Sequence, residues 1–324
     1  MRILITGANG FLGAWLARRL GDRGDEVRCL VRPNSDASAL AGARISRVAG
    51  DVTQPETLGA ALKGVQVVYH LAGIRRGSSR DEFMRVNADG TRNVAQAMVA
   101  AGARRLVLVG SLAAIGPSVG GRLRVEDDPF APEEWYGESK AEAERVAFSF
   151  SQKLEVTCCR PARIIGPGDR ENLTFFKLVK KGIVLRIGGA ERRLSMVDVN
   201  DVVDQLLLQG DLPQAVGEAF FSASAETLTV EELMLEAARL LKVTTRTVTL
   251  APLVLQSLGS AADLASKLTG RKLPLNRKLA RQLLAPGWTC SIEKAQRVLG
   301  YQPKQSIPSS LQSSAQSYLS NGWL

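Results

Sequence analysis

Arg2-Ile3-Leu4-Ile5-Thr6 runs directly into Gly7-Ala8-Asn9-Gly10-Phe11-Leu12-Gly13, and the reading of that junction decides the fold. The first five residues have the apolar character of a short buried strand, and the periodicity from 11 to about 23 predicts an amphipathic helix. Glycines at 7, 10 and 13 permit a tight turn, let backbone amides approach a pyrophosphate, and let the new helix pack close to the strand. Their spacing of three and three departs from G-x-G-x-x-G. Alone, such a triplet also fits a plain structural turn; between a strand and a helix it predicts dinucleotide binding.

Outward from this junction the pattern repeats. Strands are expected at 26–31, 44–49, 66–71, 105–110 and 155–160, with helices at 80–101 and 133–152 between the later ones. Val-, Ile- and Leu-rich strands separated by helices imply an α/β fold, a Rossmann-type doubly wound parallel sheet covered on both faces. Residues 1–166 are expected to form this dinucleotide-binding domain, with 195–223 returning to it. In such sheets ligands lie beyond the carboxyl ends of the strands, where Gly7, Asp51, Ala72, Ser111 and Pro161 all fall. Asp51 is a candidate acceptor for the adenine amino group, and Ala72-Gly73 are small enough to let backbone lie against a cofactor.

The end of the second strand bears on cofactor choice. A free ribose 2'-hydroxyl is usually held there by a carboxylate, whereas a 2'-phosphate favours arginine. Val31 is followed by Arg32-Pro33-Asn34-Ser35, with no acid before Asp36. The expected cofactor is therefore NADP, with NAD as the alternative; the plain reading of Arg32 is a solvated strand-end residue.

A chemical constellation follows. Tyr136-Gly137-Glu138-Ser139-Lys140 places a phenol and an ammonium four apart on one helical face. A cation there stabilises the phenolate formed during proton transfer, although most such pairs in helical proteins are ordinary surface residues. Ser111, at the end of the fifth expected strand, supplies a hydroxyl nearby.

Composition excludes several classes. The 324 residues are 45% hydrophobic and 23% charged, as in ordinary soluble globular proteins. Neither a cleavable leader nor a long apolar run is present, so a cytoplasmic protein is the simplest expectation. Cys29, Cys158, Cys159 and Cys290 lack metal-ligand spacing, and His70 is the single histidine, so no metal site is expected. The net charge of +10 reads either as a solubilising surface or as attraction to an anionic cofactor, substrate or membrane. Nucleic acid is disfavoured, because the cations are dispersed and aromatics are 5% of residues.

Beyond Pro167 the alternation breaks down, and an amphipathic helix at Val230–Leu241 suggests a smaller C-terminal substrate-binding lobe within 167–324. Asp198 and Asp201 read as caps of a helix at 202–209 that tie the lobes together. The segment 250–284 is rich in leucine and carries Lys267, Arg271, Lys272, Arg277, Lys278 and Arg281. A solvated outer face is the commoner reading of such a region; a membrane surface or a roof over a hydrophobic pocket are the alternatives.

Taken together, Thr6-Gly7-x-x-Gly10-Phe11-Leu12-Gly13, Gly50-Asp51, His70-Leu71-Ala72-Gly73, Asn87-x-x-Gly90-Thr91, Ser111, Tyr136-x-x-x-Lys140, Arg160-Pro161 and 197–202 resemble an extended short-chain dehydrogenase/reductase of the NAD-dependent epimerase/dehydratase family over nearly the whole chain. The resemblance implies Tyr136 as proton donor or acceptor, Lys140 as its electrostatic partner and holder of the nicotinamide ribose, and Ser111 bonded to the same substrate oxygen. It implies cofactor contacts from Gly7, Gly10, Phe11, Leu12, Gly13, Arg32, Asp51, Val52, Leu71, Ala72, Gly73, Asn87, Pro161 and Arg163, besides Tyr136 and Lys140. Relatives commonly dimerise through the Tyr136 helix and its neighbour, so the resemblance allows a homodimer while leaving the oligomeric state open. Where members acting on nucleotide sugars carry asparagine, this chain has Arg163. Together with the basic 250–284 segment and the closing Trp288, Tyr301-x-Pro303 and Trp323, this makes the chain more similar to the branch of 3-beta-hydroxysteroid dehydrogenases and dihydroflavonol reductases. The implied activity is interconversion of a ketone and a secondary alcohol on a hydrophobic molecule. A nucleotide-sugar epimerase or dehydratase retaining NAD, and a non-catalytic NADP-binding sensor or assembly protein, are the alternatives.

Overall fold

The computed structural model describes residues 1–269 and 277–324. Among the described residues twelve strands follow in chain order: β1 (Arg2–Thr6), β2 (Glu26–Val31), β3 (Ser46–Ala49), β4 (Val67–His70), β5 (Arg105–Val109), β6 (Glu155–Pro161), β7 (Arg163–Ile165), β8 (Ile183–Ile187), β9 (Arg193–Asp198), β10 (Ala219–Ser222), β11 (Thr227–Thr229) and β12 (Arg246–Leu250). Seven form one parallel sheet in the order β10-β6-β5-β4-β1-β2-β3. The order reverses direction beside β1, which leaves a crevice at the carboxyl ends of β1 and β4.

Alternation along each strand feeds two cores. Leu4 and Leu106 face the layer containing Leu62, Val94 and Met98. Ile3, Ile5 and Val107 face the opposite layer, where Leu16 and Leu20 of the Phe11–Asp22 helix meet Val202 and Leu206 of the Val199–Asp211 helix. Burial on both faces explains why these strands read as continuous apolar runs.

Several boundaries differ from expectation. The third strand starts at Ser46 rather than 44, because Ile45 is still turning, its amide bonded to the Ala43 carbonyl. The helix expected over 80–101 is α-helical at Arg80–Phe83 and Gly90–Ala101 but passes through a π-helical turn at Met84–Asp89. The helix carrying Tyr136 spans Trp135–Phe148, not 133–152. Within 195–223, the Val199–Asp211 helix and β10 join the main sheet, while β9 pairs with β7 and β11 in a small separate sheet.

The C-terminal lobe has its own core of Phe176, Val184, Met196, Leu233 and Tyr318. Asp198 caps the Val199–Asp211 helix through the Asn200 amide (2.8 Å), and Asp201 accepts the Lys304 and Gln305 amides (2.9 and 3.1 Å), tying the C-terminal segment to the sheet. Of the basic residues in 250–284, Arg271 and Lys272 lie outside the described residues. Among the described residues, no helix is long and apolar enough to cross a membrane.

One buried ion pair braces the sheet beneath the site. Arg160 Nε donates to Glu144 Oε2 (3.0 Å), Nη2 to Oε1 (2.5 Å), and Nη1 to the Glu126 carbonyl (2.8 Å). Both side chains are almost fully excluded from solvent. Removing one partner strands a buried charge, which costs about 3–5 kcal/mol. Glu144→Ala is expected to lower the unfolding free energy by that amount in urea titrations. A loss below about 1 kcal/mol would mean that the cation finds water on unpairing.

Candidate active site

Three close approaches of backbone shape the crevice. Gly7 has φ +70°, and a Cβ there would stand 2.7 Å from the Ala72 nitrogen. A Cβ on Gly13 would stand 2.2 Å from the Gly7 carbonyl oxygen. Only glycine therefore permits the first turn to lie against both the end of β4 and its own helix. Gly10 caps the Phe11–Asp22 helix, whose first amides, including those of Phe11 and Leu12, have no intrahelical acceptor and present a positive helix end. This cradle fits a dinucleotide pyrophosphate.

Gly137 supplies the third approach. A Cβ on it would stand 2.4 Å from the Ala113 carbonyl oxygen, so the Trp135–Phe148 helix presses on the short Leu112–Ile115 helix. Ser111 caps that short helix, its Oγ accepting the Ala113 amide (3.1 Å). Tyr136 and Ser111 are brought to neighbouring elements by this contact. Lys140 is buried, and its Nζ donates to the Val109 carbonyl at the end of β5 (2.5 Å). The Arg75 guanidinium, from the loop after β4, stands 5.7 Å from the centre of the Tyr136 ring, within cation-π range.

A continuous chain of hydrogen bonds joins the cradle to the catalytic helix. The Thr91 hydroxyl donates to the Asn87 carbonyl (2.6 Å), so its oxygen accepts from His70 Nε2 (3.0 Å). His70 Nδ1 is then unprotonated and accepts from the Thr6 hydroxyl (2.6 Å), whose oxygen accepts the Ala72 amide (3.2 Å). This tautomer follows from the pattern of partners. Asn87 Nδ2 donates to Ser139 Oγ (2.8 Å), and the Ser139 hydroxyl donates to the Tyr136 carbonyl (2.8 Å).

The remaining expected cofactor residues fall as follows. Arg32 is exposed, with no acid paired to it among the described residues, and its carbonyl closes a turn by accepting from Ser35. Asn9 Nδ2 ties that turn to the glycine loop through the Asp36 carbonyl (2.9 Å). Asp51 uses Oδ1 to accept from Thr53, and Val52 packs on Gly90, where a Cβ would stand 2.9 Å from the valine methyl. Leu71, Ala72 and Gly73 form the rim after β4; Pro161 ends β6 beside Ser222. Asn87, expected at the cofactor, spends both amide protons on Ser139 and the Ile74 carbonyl and accepts the Ile74 amide (2.7 Å), so it acts as a bracket for the rim. Arg163 reaches into the smaller lobe, its Nε donating to Asn172 (2.5 Å) and its guanidinium lying 5.2 Å from the Phe175 ring centre. Among the described residues, no three His, Cys, Asp or Glu side chains gather as a metal site.

Sequence reasoning missed Gly137, Ser139, Arg75 and the His70 relay. Gly137 and Ser139 stood inside the quoted catalytic stretch; nothing local signalled their partners.

A glycine cradle at the first βα turn with serine, tyrosine and lysine at the same sheet edge defines the class: an NAD(P)-dependent oxidoreductase of the extended short-chain dehydrogenase/reductase type. The profile of the NAD dependent epimerase/dehydratase family matches residues 3–219, and the chain belongs to that family. A ceramide reductase of Caulobacter vibrioides (strain NA1000 / CB15N) is 30% identical over 322 residues, covering 99% of this chain and 96% of its own. A UDP-glucose 4-epimerase of Vibrio cholerae is 31% identical over 251 residues, covering 73% and 74%. The crystal structure of gox2253 superposes with a TM-score of 0.84 at 26% identity, covering 99% and 98%.

Burial, and secondarily the Lys140 ammonium, hold His70 down to about 3, against about 6.5 in the unfolded chain. The neutral imidazole therefore carries its full stabilisation above about pH 6.5 and loses it as the pH falls through that value towards the folded pKa. Urea midpoints measured between pH 7 and 5 are expected to fall for the native chain and to flatten in His70→Gln. Parallel profiles for the two proteins would show that the imidazole is solvated or charged in the fold.

Proposed function

We propose that the protein interconverts a ketone and a secondary alcohol on a hydrophobic small molecule of lipid, sterol-like or specialised-metabolite type, with NADP preferred over NAD. The observation that carries this reading is the complete set of Ser111, Tyr136 and Lys140 at the edge of the cradle, with Arg32, paired to no acid among the described residues, just after β2 where an acid would repel a 2'-phosphate. Similarity across the full chain to a protein named as acting on ceramide supports a lipophilic substrate.

A bound nicotinamide dinucleotide supplies or accepts the hydride. In the reductive direction the Tyr136 hydroxyl gives its proton to the carbonyl oxygen; in oxidation the phenolate takes the alcohol proton. Ser111 Oγ already accepts the Ala113 amide, which leaves its own proton to donate to the same substrate oxygen. Lys140 is held at one point by the Val109 carbonyl, and its remaining N–H groups serve the cofactor ribose while its charge offsets that of the phenolate. Phe11, Leu12, Gly13 and the 71–73 rim hold the dinucleotide.

The second reading is a sugar-nucleotide epimerase that retains its NAD, favoured by the similarity to the Vibrio cholerae enzyme. Cofactor surviving purification, with UDP-sugar turnover in the absence of added nicotinamide, would select it. Engagement of Arg163 with Asn172 and Phe175 weighs on the other side, since the side chain at this position is committed to the lobe's own packing.

Tyr136→Phe is expected to bind NADPH almost normally and to lose at least about a hundredfold in turnover, the scale for a proton-transfer group. Turnover equal to that of the native enzyme would remove Tyr136 from the chemistry. Arg32→Ala is expected to weaken NADPH more than NADH in fluorescence titrations. Equal weakening would mean that Arg32 does not read the 2'-phosphate.

A further inference from the structure

Among the described helices, Pro252–Thr269 presents its apolar side outward. Successive residues are turned by about 100°, so Leu253, Leu264, Leu268, Val254 and Leu258 fall within an arc of about 140°. All five are exposed, Leu253 and Leu268 to 76% and 78%. The inward side is carried by Leu255 and Gly259, which are buried, and Gln256, Ser260 and Asp263 occupy the far side of the outward arc. Single exposed leucines are common on protein surfaces and need no explanation; a row of five along one helix does.

The chemistry around this row is one-sided. Between 252 and 288 the sequence has six cations, Lys267, Arg271, Lys272, Arg277, Lys278 and Arg281, against one acid, Asp263. That acid is engaged: its Oδ2 accepts the Arg277 amide (3.2 Å) at the start of the Arg277–Leu284 helix. The contact places the second helix beside the first, with Arg277 and Arg281 exposed. An exposed apolar face on an 18-residue helix, with the exposed Arg277 and Arg281 on the helix beside it, suits a lipid interface, the leucines among acyl chains and the arginines at phosphates.

We infer that the Pro252–Thr269 helix docks the protein onto an anionic bilayer surface. The helix is not apolar enough to cross, so it lies in the plane of the surface. A second copy of this chain is the poorer occupant, because a two-fold contact sets the same cationic flank of each copy against the other. The inference is independent of the substrate assigned above.

The test is sedimentation of the full chain with vesicles of phosphatidylcholine, alone or mixed with phosphatidylglycerol. Binding is expected to the mixed vesicles, to weaken with added salt, and to be much weaker for phosphatidylcholine alone. Leu264→Glu/Leu268→Glu is expected to abolish it. Arg277→Glu/Arg281→Glu, at exposed positions outside the catalytic machinery, is expected to reduce it by at least about tenfold, with thermal unfolding and NADPH binding unchanged. No association with the anionic vesicles, or equal association by both variants, overturns the inference. So does a dimer in light scattering that Leu264→Glu/Leu268→Glu converts to monomer, since the face would then be an interface between copies.

Discussion

The structure depends on how closely two backbone segments meet at the carboxyl edge of the sheet. The Gly7 turn lies against the chain at Leu71 and Ala72 at distances that leave no room for a side chain. That approach puts the positive end of the Phe11–Asp22 helix over the gap between β1 and β4, where an anionic cofactor gains from both the free amides and the helix dipole. Gly13 then seats the helix on its own turn. Any larger residue at these positions would force the turn from the sheet and move the anion site with it.

Close backbone contact alone would leave the proton-transfer group independent of the cradle. The relay through His70 removes that freedom. Starting at the Ala72 amide it passes through Thr6, His70, Thr91, Asn87 and Ser139 to the Tyr136 carbonyl, and its side chains are all buried. A neutral imidazole suits the role because it donates at one nitrogen and accepts at the other, which lets two threonines with opposite needs be satisfied at once. Protonation would turn Nδ1 into a donor facing the Thr6 hydroxyl. Burial keeps the proton off, and the Lys140 ammonium adds to the effect. The π-helical turn at Met84–Asp89 belongs to the same device: an added residue in the turn redirects side chains, and here it sets Asn87 between the rim and the catalytic helix.

Much of this was legible in the sequence because it rests on local patterns. The strand-turn-helix start, the apolar strands and the Tyr136-x-x-x-Lys140 spacing each follow from residues within one or two turns of one another. What escaped notice involves partners distant in sequence. Thr6, His70 and Thr91 each stand in a quoted motif, but nothing near any of them in the sequence says that they bond to one another. Gly137 has meaning only once the Ala113 carbonyl is known to lie against it. The Arg160–Glu144 pair joins a strand to a helix and has no mark in either segment. Strands β7 and β11 have three residues each and pair with β9 in a sheet of their own, so the alternation that exposed the main sheet gave no purchase in the smaller lobe. The π-turn preserves the helical look of 80–101, whose ends fall where expected, and only its interior differs.

The two parts of the chain meet different physical demands. Tyr136 is housed where backbone touches backbone, and the polar relay beside it is bonded throughout. The smaller lobe is built on a separate core of Phe176, Met196, Leu233 and Tyr318. The parts are joined by directional polar ties: the Trp15 indole to the Pro167 carbonyl (3.1 Å), and Asp201 to the amides of Lys304 and Gln305 (2.9 and 3.1 Å). An apolar cluster seals the same junction, with Leu112, Ile115, Phe220 and Phe221 of the sheet side packed against Cys290, Ile292 and Tyr301. Ser111 and Lys140 are therefore held by the sheet edge's own backbone, through the Ala113 amide and the Val109 carbonyl, while the smaller lobe meets that edge with a core of its own.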